Sequence, residues 1–248
     1  QIDLRAFVPG EILEVGANFR EGGVIAQGDL LVAIDPFDYR AALDERRAQL
    51  REALARLNEI RARLKQYDGD YERAQELARK GNVSAKFLAK SRSDMAAEAA
   101  RLEQQKAVIV RLGVGVRRAE RDLEKTRLVA PFDGYVHDVA ANVGKRVNSN
   151  DRVGGLIDAR RLEVRFSMSD SQYGRILAAS GGVEGRPAKI VWRVGGGDLL
   201  FDAVVERVGA RIAAAKGGVD VYARLGEAAK GGPLRPGAFV EVSLPDRS

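Results

Sequence analysis

The sequence predicts an elongated, multidomain α+β protein. In this prediction an antiparallel α-helical coiled-coil hairpin is inserted in a split β-sandwich, and a small antiparallel β-barrel follows. Three observations support it. Apolar residues recur at seven-residue spacing through residues 36–127. Two similar glycine-rich motifs flank that stretch, and the rest of the chain alternates apolar and polar residues between glycine turns.

Composition excludes several classes of function. The 248 residues are 45% hydrophobic and 31% charged, as expected for a folded protein with substantial cores. The formal charge is +6, but Lys and Arg alternate with Glu and Asp along the helical stretch, and only one Trp is present. A basic patch with stacking rings is therefore missing, and no nucleic-acid partner is predicted. The absence of cysteine excludes disulfides, thiolate metal sites and cysteine nucleophiles.

The hairpin is predicted from its heptads. Steps of four and three place two apolar series on one face of the first arm, and only Arg46 interrupts them. The turn is predicted at Lys80-Gly81-Asn82, and each arm of about 44 residues would be about 65 Å long. Gly113 and Gly115 in the second arm are interpreted either as close helix packing or as a flexible point. The heptad residues are Leu43, Leu50, Leu57, Leu64, Tyr71 and Ala78, then Tyr39, Ala53, Ile60, Tyr67 and Ala74, and in the second arm Leu88, Met95, Leu102, Ile109, Val116 and Leu123.

The flanking β-motifs, residues 4–35 and 128–158, repeat each other. The pattern Gly-x-Ile/Val-x-x-Val-x-Ala-Asn begins at Gly10 and again at Gly134, and each copy closes with Ile-Asp. A half of about 30 residues could not bury a core alone. We therefore expect the two halves to form one β-sandwich, brought together because the hairpin returns the chain to its start.

Residues 159–248 are predicted to form the barrel. Leu162, Val164 and Phe166 alternate with polar residues, as in a half-buried strand. Ser169 and Asp170 can cap a short helix that ends at Gly181-Gly182. Further strands are predicted near 188–194, 201–208, 219–225 and 238–244, and Gly195-Gly196-Gly197 is interpreted as a turn between strands.

Two segments resemble those of a known family. The run Thr126-Arg-Leu-Val-Ala-Pro-Phe-Asp-Gly-Tyr-Val136 resembles the "T-x-I-x-A-P-F-D-G-x-V" signature of periplasmic adaptor subunits, or membrane fusion proteins, of the HlyD/RND-adaptor superfamily. Leu234-Arg-Pro-Gly-Ala-Phe-Val-Glu-Val242 resembles the family's "L-x-P-G-M-x-V-x-V" barrel strand. The order of half lipoyl domain, hairpin, half lipoyl domain and barrel matches the family over essentially the whole sequence.

The resemblance implies a lipoyl-like fold for the split sandwich but no cofactor. In carriers of biotin or lipoate, a lysine at a tip between the halves bears the cofactor. Here the helical insertion starts at that place, at Asp35-Pro36, without a lysine. The family's membrane-proximal domain is expected to be absent, because the sequence stops at Ser248.

The predicted hairpin tip carries the candidate site. Arg73, Leu77 and Ser84 have the spacing R-x3-L-x6-S, which resembles the tip motif with which TolC-dependent adaptors engage an outer-membrane channel. Arg73 and Leu77 are four residues apart and share a helix face, where the guanidinium can donate to partner carbonyls or carboxylates. Each residue also has a simpler interpretation: Ser84 as a helix cap, Leu77 as hairpin core, and Arg73 as a solvated charge.

The resemblance implies a non-catalytic adaptor in the periplasm, attached to the inner membrane by a lipid anchor or transmembrane segment outside this sequence. It would link an RND-type transporter to a TolC-like channel for export of drugs or other small molecules, in a ring of usually six copies. An adaptor of an ABC-type exporter with the same tip is the alternative. A biotin or lipoate carrier and a cytoskeletal coiled coil are disfavoured by the missing lysine and the flanking β-units.

No catalytic or metal site is predicted. His137 is the only histidine, and it is expected at an exposed strand position. Soft-metal sites use Met or His clusters, whereas this chain has two Met and one His far apart in sequence. No window approaches 18 consecutive apolar residues, so no membrane-spanning helix is predicted. The sequence begins at Gln1 without Met, so it is compatible with a form from which a signal peptide or lipid anchor has been removed.

Overall fold

A computed structural model describes residues 1–213, 218–226 and 233–244 and confirms the α+β class. Residues 245–248, the end of the predicted barrel unit, lie outside this description. The helices are α1 (Phe37–Arg79), α2 (Ala85–Glu124) and α3 (Asp170–Ser180). The strands are β1 (Ile2–Arg5), β2 (Gly10–Val15), β3 (Val24–Ile25), β4 (Leu30–Ile34), β5 (Arg127–Val129), β6 (Gly134–His137), β7 (Arg146–Val147), β8 (Arg152–Asp158), β9 (Glu163–Ser169), β10 (Pro187–Val194), β11 (Gly197–Ala213), β12 (Gly218–Leu225) and β13 (Glu241–Ser243).

The two long helices pair as an antiparallel hairpin. α1 has 43 residues and α2 has 40, close to the predicted arm length. Several heptad residues lie in the seam between them: Leu43, Leu57 and Ile60 are buried in α1, and Val116 is buried in α2, whereas Tyr67 is exposed. Near the base, an ion pair of 2.9 Å between Arg47 and Glu120 joins the two helices across the seam.

The middle of the hairpin seam is polar. Glu98 and Gln105 lie seven residues apart in α2 and are buried. Gln105 Nε2 donates to the carbonyl of Ala53 in α1 at 2.8 Å. Glu98 Oε2 accepts from Arg101 at 2.9 Å, whereas its Oε1 is buried without a hydrogen-bond partner in the described structure. The sequence prediction missed these residues because they are polar, although they stand four residues before the heptad residues Leu102 and Ile109 and so share the apolar face of α2.

The two helical glycines do not mark close packing. A Cβ added at Gly113 would lie 3.8 Å from the guanidinium of Arg117, and one added at Gly115 would lie 3.8 Å from Cδ of Arg46. Both are ordinary van der Waals distances, so the helix pairing does not require glycine at either place. Arg46, the residue that interrupts the α1 series, places its side-chain stem beside Gly115.

The flanking β-motifs build two four-stranded sheets around a common core. One sheet has the order β1-β8-β6-β3 and the other β5-β4-β2-β7. Each sheet therefore takes two strands from before the hairpin and two from after it. The buried core mixes both segments: Ile12, Phe19, Leu31 and Ile34 come from before the hairpin, and Val136, Val147, Val153 and Leu156 come from after it.

The hairpin is attached where the chain leaves and re-enters these sheets. The amide of Ile34 donates to the carbonyl of Thr126 at 2.8 Å, which places the entry and exit side by side. Tyr39, in the first turn of α1, donates its hydroxyl to the carbonyl of Pro9 at 2.8 Å. Burial, followed by the charges of Asp122 and Asp38, raises the pKa of Tyr39, so the hydroxyl stays protonated as a donor.

The third unit is one antiparallel sheet of five strands in the order β13-β10-β11-β12-β9, wrapped around its own core. The predicted last strand, 238–244, is shorter than expected: β13 has three residues and pairs only with Lys189, Ile190 and Val191 of β10. Among the described residues β9 and β13 are both edges and do not pair with each other. The described sheet is therefore a half-barrel, and closure into a full barrel stays a prediction.

The local signals for α3 and the β10–β11 turn predicted the structure well. Ser169 accepts from the amide of Gln172, and Gln172 Oε1 accepts from the amide of Ser169, which together form a capping box. Gly195 and Gly196 both have positive φ, 58° and 86°, and join the paired ends of β10 and β11. Two such residues in succession give a tight hairpin turn that side chains with a Cβ disfavour.

His137 differs from its prediction. Only 18% of its side chain is exposed, and its ring lies over Gly155 of the neighbouring strand β8. A Cβ at Gly155 would lie 2.3 Å from this ring, so the absent side chain makes the room that the imidazole fills. Nδ1 lies 3.2 Å from Asp138, and the arrangement offers no constellation for catalysis.

Candidate docking site at the hairpin tip

The turn between α1 and α2 is closed by backbone hydrogen bonds. The amide of Gly81 donates to the carbonyl of Ala78 at 3.0 Å, and the amide of Asn82 donates to the carbonyl of Leu77 at 2.9 Å. Gly81 has a φ of 73°, the left-handed conformation that this type of helix end requires. These bonds satisfy carbonyls of the last turn of α1 and fix the direction in which the chain enters α2.

Ser84 is the N-terminal cap of α2. Its Oγ accepts from the amide of Phe87 at 3.2 Å, as its residue type predicts. The structure therefore places Ser84 at the junction of the turn and α2. The simpler interpretation of this residue, as a helix cap, describes its contacts in this chain.

Arg73 and Leu77 lie together on an open face of α1. They line a shallow groove of about 440 Å³ between the ends of the two helices. Leu77 is 40% exposed, so it is not part of the hairpin core. Arg73 is exposed and forms an ion pair with Asp70, one turn earlier. The groove is lined by Tyr67, Asp70, Arg73, Ala74, Leu77, Phe87, Lys90, Ser91 and Asp94.

Phe87 is the groove residue that the sequence interpretation missed. It is 50% exposed and brings an aromatic ring from α2 to the groove that Leu77 lines from α1. The sequence could have indicated this role of Phe87, which stands three residues after the cap Ser84. Glu or Gln at that place would close a capping box, whereas a Phe cannot return a hydrogen bond to the cap. An aromatic residue at that place is therefore available for another contact.

The tip is rich in cations. Between residues 70 and 94 the basic residues are Arg73, Arg79, Lys80, Lys86, Lys90 and Arg92, and the acidic ones are Asp70, Glu72, Glu76 and Asp94. Two of the cations are engaged within α1, as Arg73 with Asp70 and Lys80 with Glu76. The groove itself combines exposed apolar side chains with two basic residues, Arg73 and Lys90, and two acidic residues, Asp70 and Asp94. Its Arg73 can donate to carbonyls or carboxylates of a partner surface.

Metal-ligating side chains do not cluster in the described part of the chain. Among the described residues no group of three or more His, Cys, Asp or Glu side chains could hold a metal ion. The segment between β4 and α1 is Asp35-Pro36, and Asp35 accepts from the amide of Phe37 at 2.9 Å. The chain therefore turns directly into α1 where carrier domains would present a lysine. In the part of the chain that the structure describes, no helix is both long and apolar enough to cross a bilayer.

The split barrel-sandwich domain with its inserted hairpin is the fold of the membrane fusion protein class. The family described as "RND MFP, barrel-sandwich hybrid domain" matches residues 1–165, more than half of the chain. The chain therefore belongs to the RND membrane fusion protein family, as the two sequence segments predicted.

Individual relatives are more distant. The chain is 25% identical over 246 residues to "Multidrug resistance protein MdtA" from Shigella boydii and to the protein of that name from Escherichia coli O157:H7. In both cases the match includes 98% of this chain and 54% of the relative. The chain thus spans about half the length of these curated relatives.

Solved structures share the fold. MacA from Actinobacillus actinomycetemcomitans matches with a TM-score of 0.76 at 21% identity, covering 98% of this chain and 73% of MacA. The membrane fusion protein Spr0693 from Streptococcus pneumoniae matches with a TM-score of 0.68 at 14% identity, covering 100% of this chain and 96% of Spr0693. At these identities the likeness extends to the fold alone.

Proposed function

We propose that this chain acts as a periplasmic adaptor that links an inner-membrane RND-type transporter to a TolC-like outer-membrane channel, for export of drugs or other small molecules. Membership of the RND membrane fusion protein family supports the transporter type. The curated relatives carry the name of a multidrug resistance protein, which supports the class of cargo. In this proposal the protein works by contact with its partners and performs no chemistry.

The proposal assigns a role to each unit. The lipoyl-like domain, residues 4–35 and 128–158, packs side by side with its copies in a ring, with six copies as the expected number. The hairpin, residues 36–127, reaches the channel. The barrel domain, residues 159–248, faces the transporter, and the assembly is attached to the inner membrane.

The single observation that carries the docking role is the open groove at the tip. Leu77 and Phe87 hold exposed apolar surface beside Arg73. A helical partner can place an apolar side chain between them and accept hydrogen bonds from the guanidinium. Ser84 contributes by fixing the start of α2, which sets the position of Phe87 against Leu77.

The alternative partner is an ABC-type exporter. The same docking groove would serve it, so the tip does not distinguish the two transporters. The two are separated by purifying the adaptor with its membrane partner from its natural host and identifying the transporter. An RND-type transporter is the expected result, and an ABC-type exporter would overturn that part of the proposal.

The docking role is tested with Leu77→Asp. A carboxylate in the groove loses its hydration when the partner covers it, so we expect channel binding to weaken at least about tenfold. The binding of the purified protein to its co-encoded outer-membrane channel is measured by surface plasmon resonance, together with efflux-dependent drug resistance of the host.

Leu54→Asp is the matched control. Leu54 lies on the same helix and is 41% exposed, against 40% for Leu77, but it is far from the tip along the helix. We expect this variant to bind like wild type, and both variants to keep the helical circular dichroism. Equal binding by Leu77→Asp and wild type would contradict the docking site. A wild-type protein that bound no channel would contradict the adaptor function itself.

A further inference from the structure

A second cavity lies on the half-barrel, far in sequence from the hairpin tip. It has a volume of about 450 Å³ and lies between α3 and the edge strands β9 and β13. This size is within the range of pockets that bind small organic molecules. The lining residues are Phe166, Ser167, Met168, Gln172, Arg175, Ile176, Arg186, Val242 and Leu244. They include two arginines, and no carboxylate occurs among them.

Arg186 is the unusual member of this set. It is only 7% exposed, and its Nε is buried without a hydrogen-bond partner. Within the described residues its guanidinium forms no ion pair. Three other arginines of the same unit, Arg165, Arg193 and Arg207, each lie 2.6 Å from a carboxylate, although all three are more exposed. The most buried of these four arginines is thus the one without a counterion among residues 1–213, 218–226 and 233–244.

The backbone holds Arg186 in this place. The amide of Gly185 donates to the carbonyl of Val205 at 2.8 Å, and the amide of Val205 donates to the carbonyl of Arg186 at 2.9 Å. These bonds hold the backbone of Arg186 against β11, directly before β10 begins. A buried charge without a partner destabilises a fold. A site that keeps such a charge on a rigid backbone is prepared for an anion from outside.

Two residues near Arg186 also favour the binding of an anion. Arg175 lies at the cavity on α3 and makes no ion pair among the described residues. Gln172 Oε1 accepts from the amide of Ser169 at 3.1 Å, and a backbone amide can only donate, so this oxygen assignment is fixed. The NH₂ group of Gln172 is then the part of the side-chain amide that can bind a ligand. It is a donor, as an anion requires.

Apart from Ser167, the remaining lining residues are apolar. Phe166 and Met168 come from β9, Ile176 from α3, and Val242 and Leu244 from the β13 edge. A simple inorganic anion would leave this apolar surface in contact with water. An anion that carries a hydrocarbon body would cover it and gain hydrophobic free energy in proportion to the area buried.

We propose that this cavity is a binding site for a small amphipathic organic anion. The anionic head accepts hydrogen bonds from Arg186, with Arg175 and the Gln172 amide as further donors. The apolar body packs against Phe166 and Met168. The site is separate from the docking groove, and it exists whether or not the adaptor function holds.

Decanoate tests the site, with decanol as the neutral probe of equal chain length and inorganic phosphate as the charge without a chain. Isothermal titration calorimetry on the full chain, below the micelle concentration, is expected to give one saturable decanoate site per chain. Decanol and phosphate are each expected to bind at least about tenfold more weakly, because each lacks one of the two interactions. Decanoate is also expected to raise the melting temperature of wild type.

Arg186→Met is the decisive variant. Decanoate binding is expected to fall at least about tenfold, while the melting temperature without ligand does not fall, because a buried unpaired charge has been removed. Arg186→Lys keeps the charge but not the planar guanidinium, and an intermediate affinity is expected. Arg161→Gln, at an arginine with an 86% exposed side chain and no place in the cavity, serves as the control that binds like wild type.

Several results would overturn the proposal. Wild-type affinity in Arg186→Met, or equal affinity of wild type for decanoate and decanol, would show that no anion site is present. Phosphate binding as tight as decanoate binding would show that the apolar residues do not contribute to the affinity. If Arg186→Met fails to fold, Arg175→Met supplies the test, since an exposed residue on α3 can be changed without loss of the core. Unchanged decanoate affinity in that variant would then count against the site.

Discussion

Asp133 shows how one residue can join three parts of the chain. It stands in the Ala-Pro-Phe-Asp-Gly segment that resembles the family signature. Its Oδ1 accepts from the amide of Gln27, before the hairpin, at 2.8 Å, and its Oδ2 accepts from Arg160, at the start of the third unit. The hydrogen bond from Gln27 and then the guanidinium of Arg160 lower the pKa of Asp133.

The pH dependence of stability tests this role. Because the pKa of Asp133 is lower in the folded state, its contribution is present above the unfolded pKa of about 3.9 and is lost as pH falls through the folded value. We expect Asp133→Asn to lower the melting temperature at pH 7 and to differ progressively less from wild type below about pH 4. Differential scanning calorimetry from pH 3 to pH 8 measures this difference.

Asp44→Asn is the control, because this exposed hairpin aspartate has no described hydrogen bond or ion pair. It is expected to follow wild type over the whole pH range. A constant difference between Asp133→Asn and wild type from pH 3 to pH 8 would contradict the charged contribution of Asp133. It would point to the altered shape of the side chain instead.

At the tip, the sequence predicted relations between residues that are close along the chain, but it missed a contact between the two helices. Arg73 and Leu77 share a face because they lie four residues apart on one helix, and that relation does not depend on anything distant. The cap at Ser84 is equally local. Phe87 reaches the same groove from the other helix, so its place depends on how the two helices are rotated against each other. Side-chain packing along the whole seam sets that rotation, and it cannot be predicted from the spacing of residues within one helix.

At the level of elements, the hairpin seam is where pattern and packing differ. The α1 heptads predicted buried positions such as Leu57 and Ile60. In α2 the positions four residues before Leu102 and Ile109 are occupied by Glu98 and Gln105. Because both are polar, the sequence predicted that this part of the helix surface faces solvent. Burial of Glu98 to 1% exposure follows from its place opposite α1, which only the paired structure reveals.

Replacing Glu98 with Leu tests the energetics of this polar layer. The carboxylate has one oxygen bound to Arg101 and one buried oxygen without a partner in the described structure. Apolar replacement of imperfectly paired buried charges is often stabilising, by about 1–4 kcal/mol. We expect Glu98→Leu to raise the thermal midpoint of the helical signal at 222 nm, measured by circular dichroism.

Glu103→Leu provides the comparison, since Glu103 lies on the same helix with a 69% exposed side chain and pairs only with Lys106. A change within about 0.5 kcal/mol is expected there. A lower midpoint for Glu98→Leu would contradict the prediction. It would mean that the Glu98–Arg101 pair stabilises the hairpin more than a leucine does.

The half-barrel shows a similar limit of sequence patterns. The alternation of apolar and polar residues predicted strands close to β10 and β12, because each has a buried and an open face. It predicted only the middle of β11, as 201–208, whereas this strand runs over Gly197–Ala213. The length of β13 was overestimated, since alternation continues beyond the three residues that pair with β10. Pairing depends on a neighbour in space, so the end of a strand is less predictable than its existence.

At the scale of the whole molecule, the internal repeat predicted that two segments share one sandwich, and the sheet order shows how. Strands from before and after the hairpin are hydrogen-bonded to each other in both sheets, as β1 with β8 and β4 with β5. The repeat could not predict this interleaving, because two similar halves could equally have formed one sheet each. The hydrogen bond from Ile34 to Thr126, at the entry and exit of the hairpin, continues the β4–β5 pairing and is part of the interleaving.

Cleavage at the hairpin tip tests whether the segments before and after it stay associated, through the interleaved sheets and the paired helices α1 and α2. A protease site inserted after Gly81 lies in an exposed turn, and cutting it leaves an N-terminal piece with β1–β4 and a C-terminal piece with β5–β13. Each piece holds only part of the core that contains Ile12 and Leu156, so separation would expose that core to water. We expect the cut protein to elute as one species in gel filtration and to separate only in denaturant. Two species in native buffer would show that the halves do not depend on each other, because interleaved sheets cannot part without unfolding.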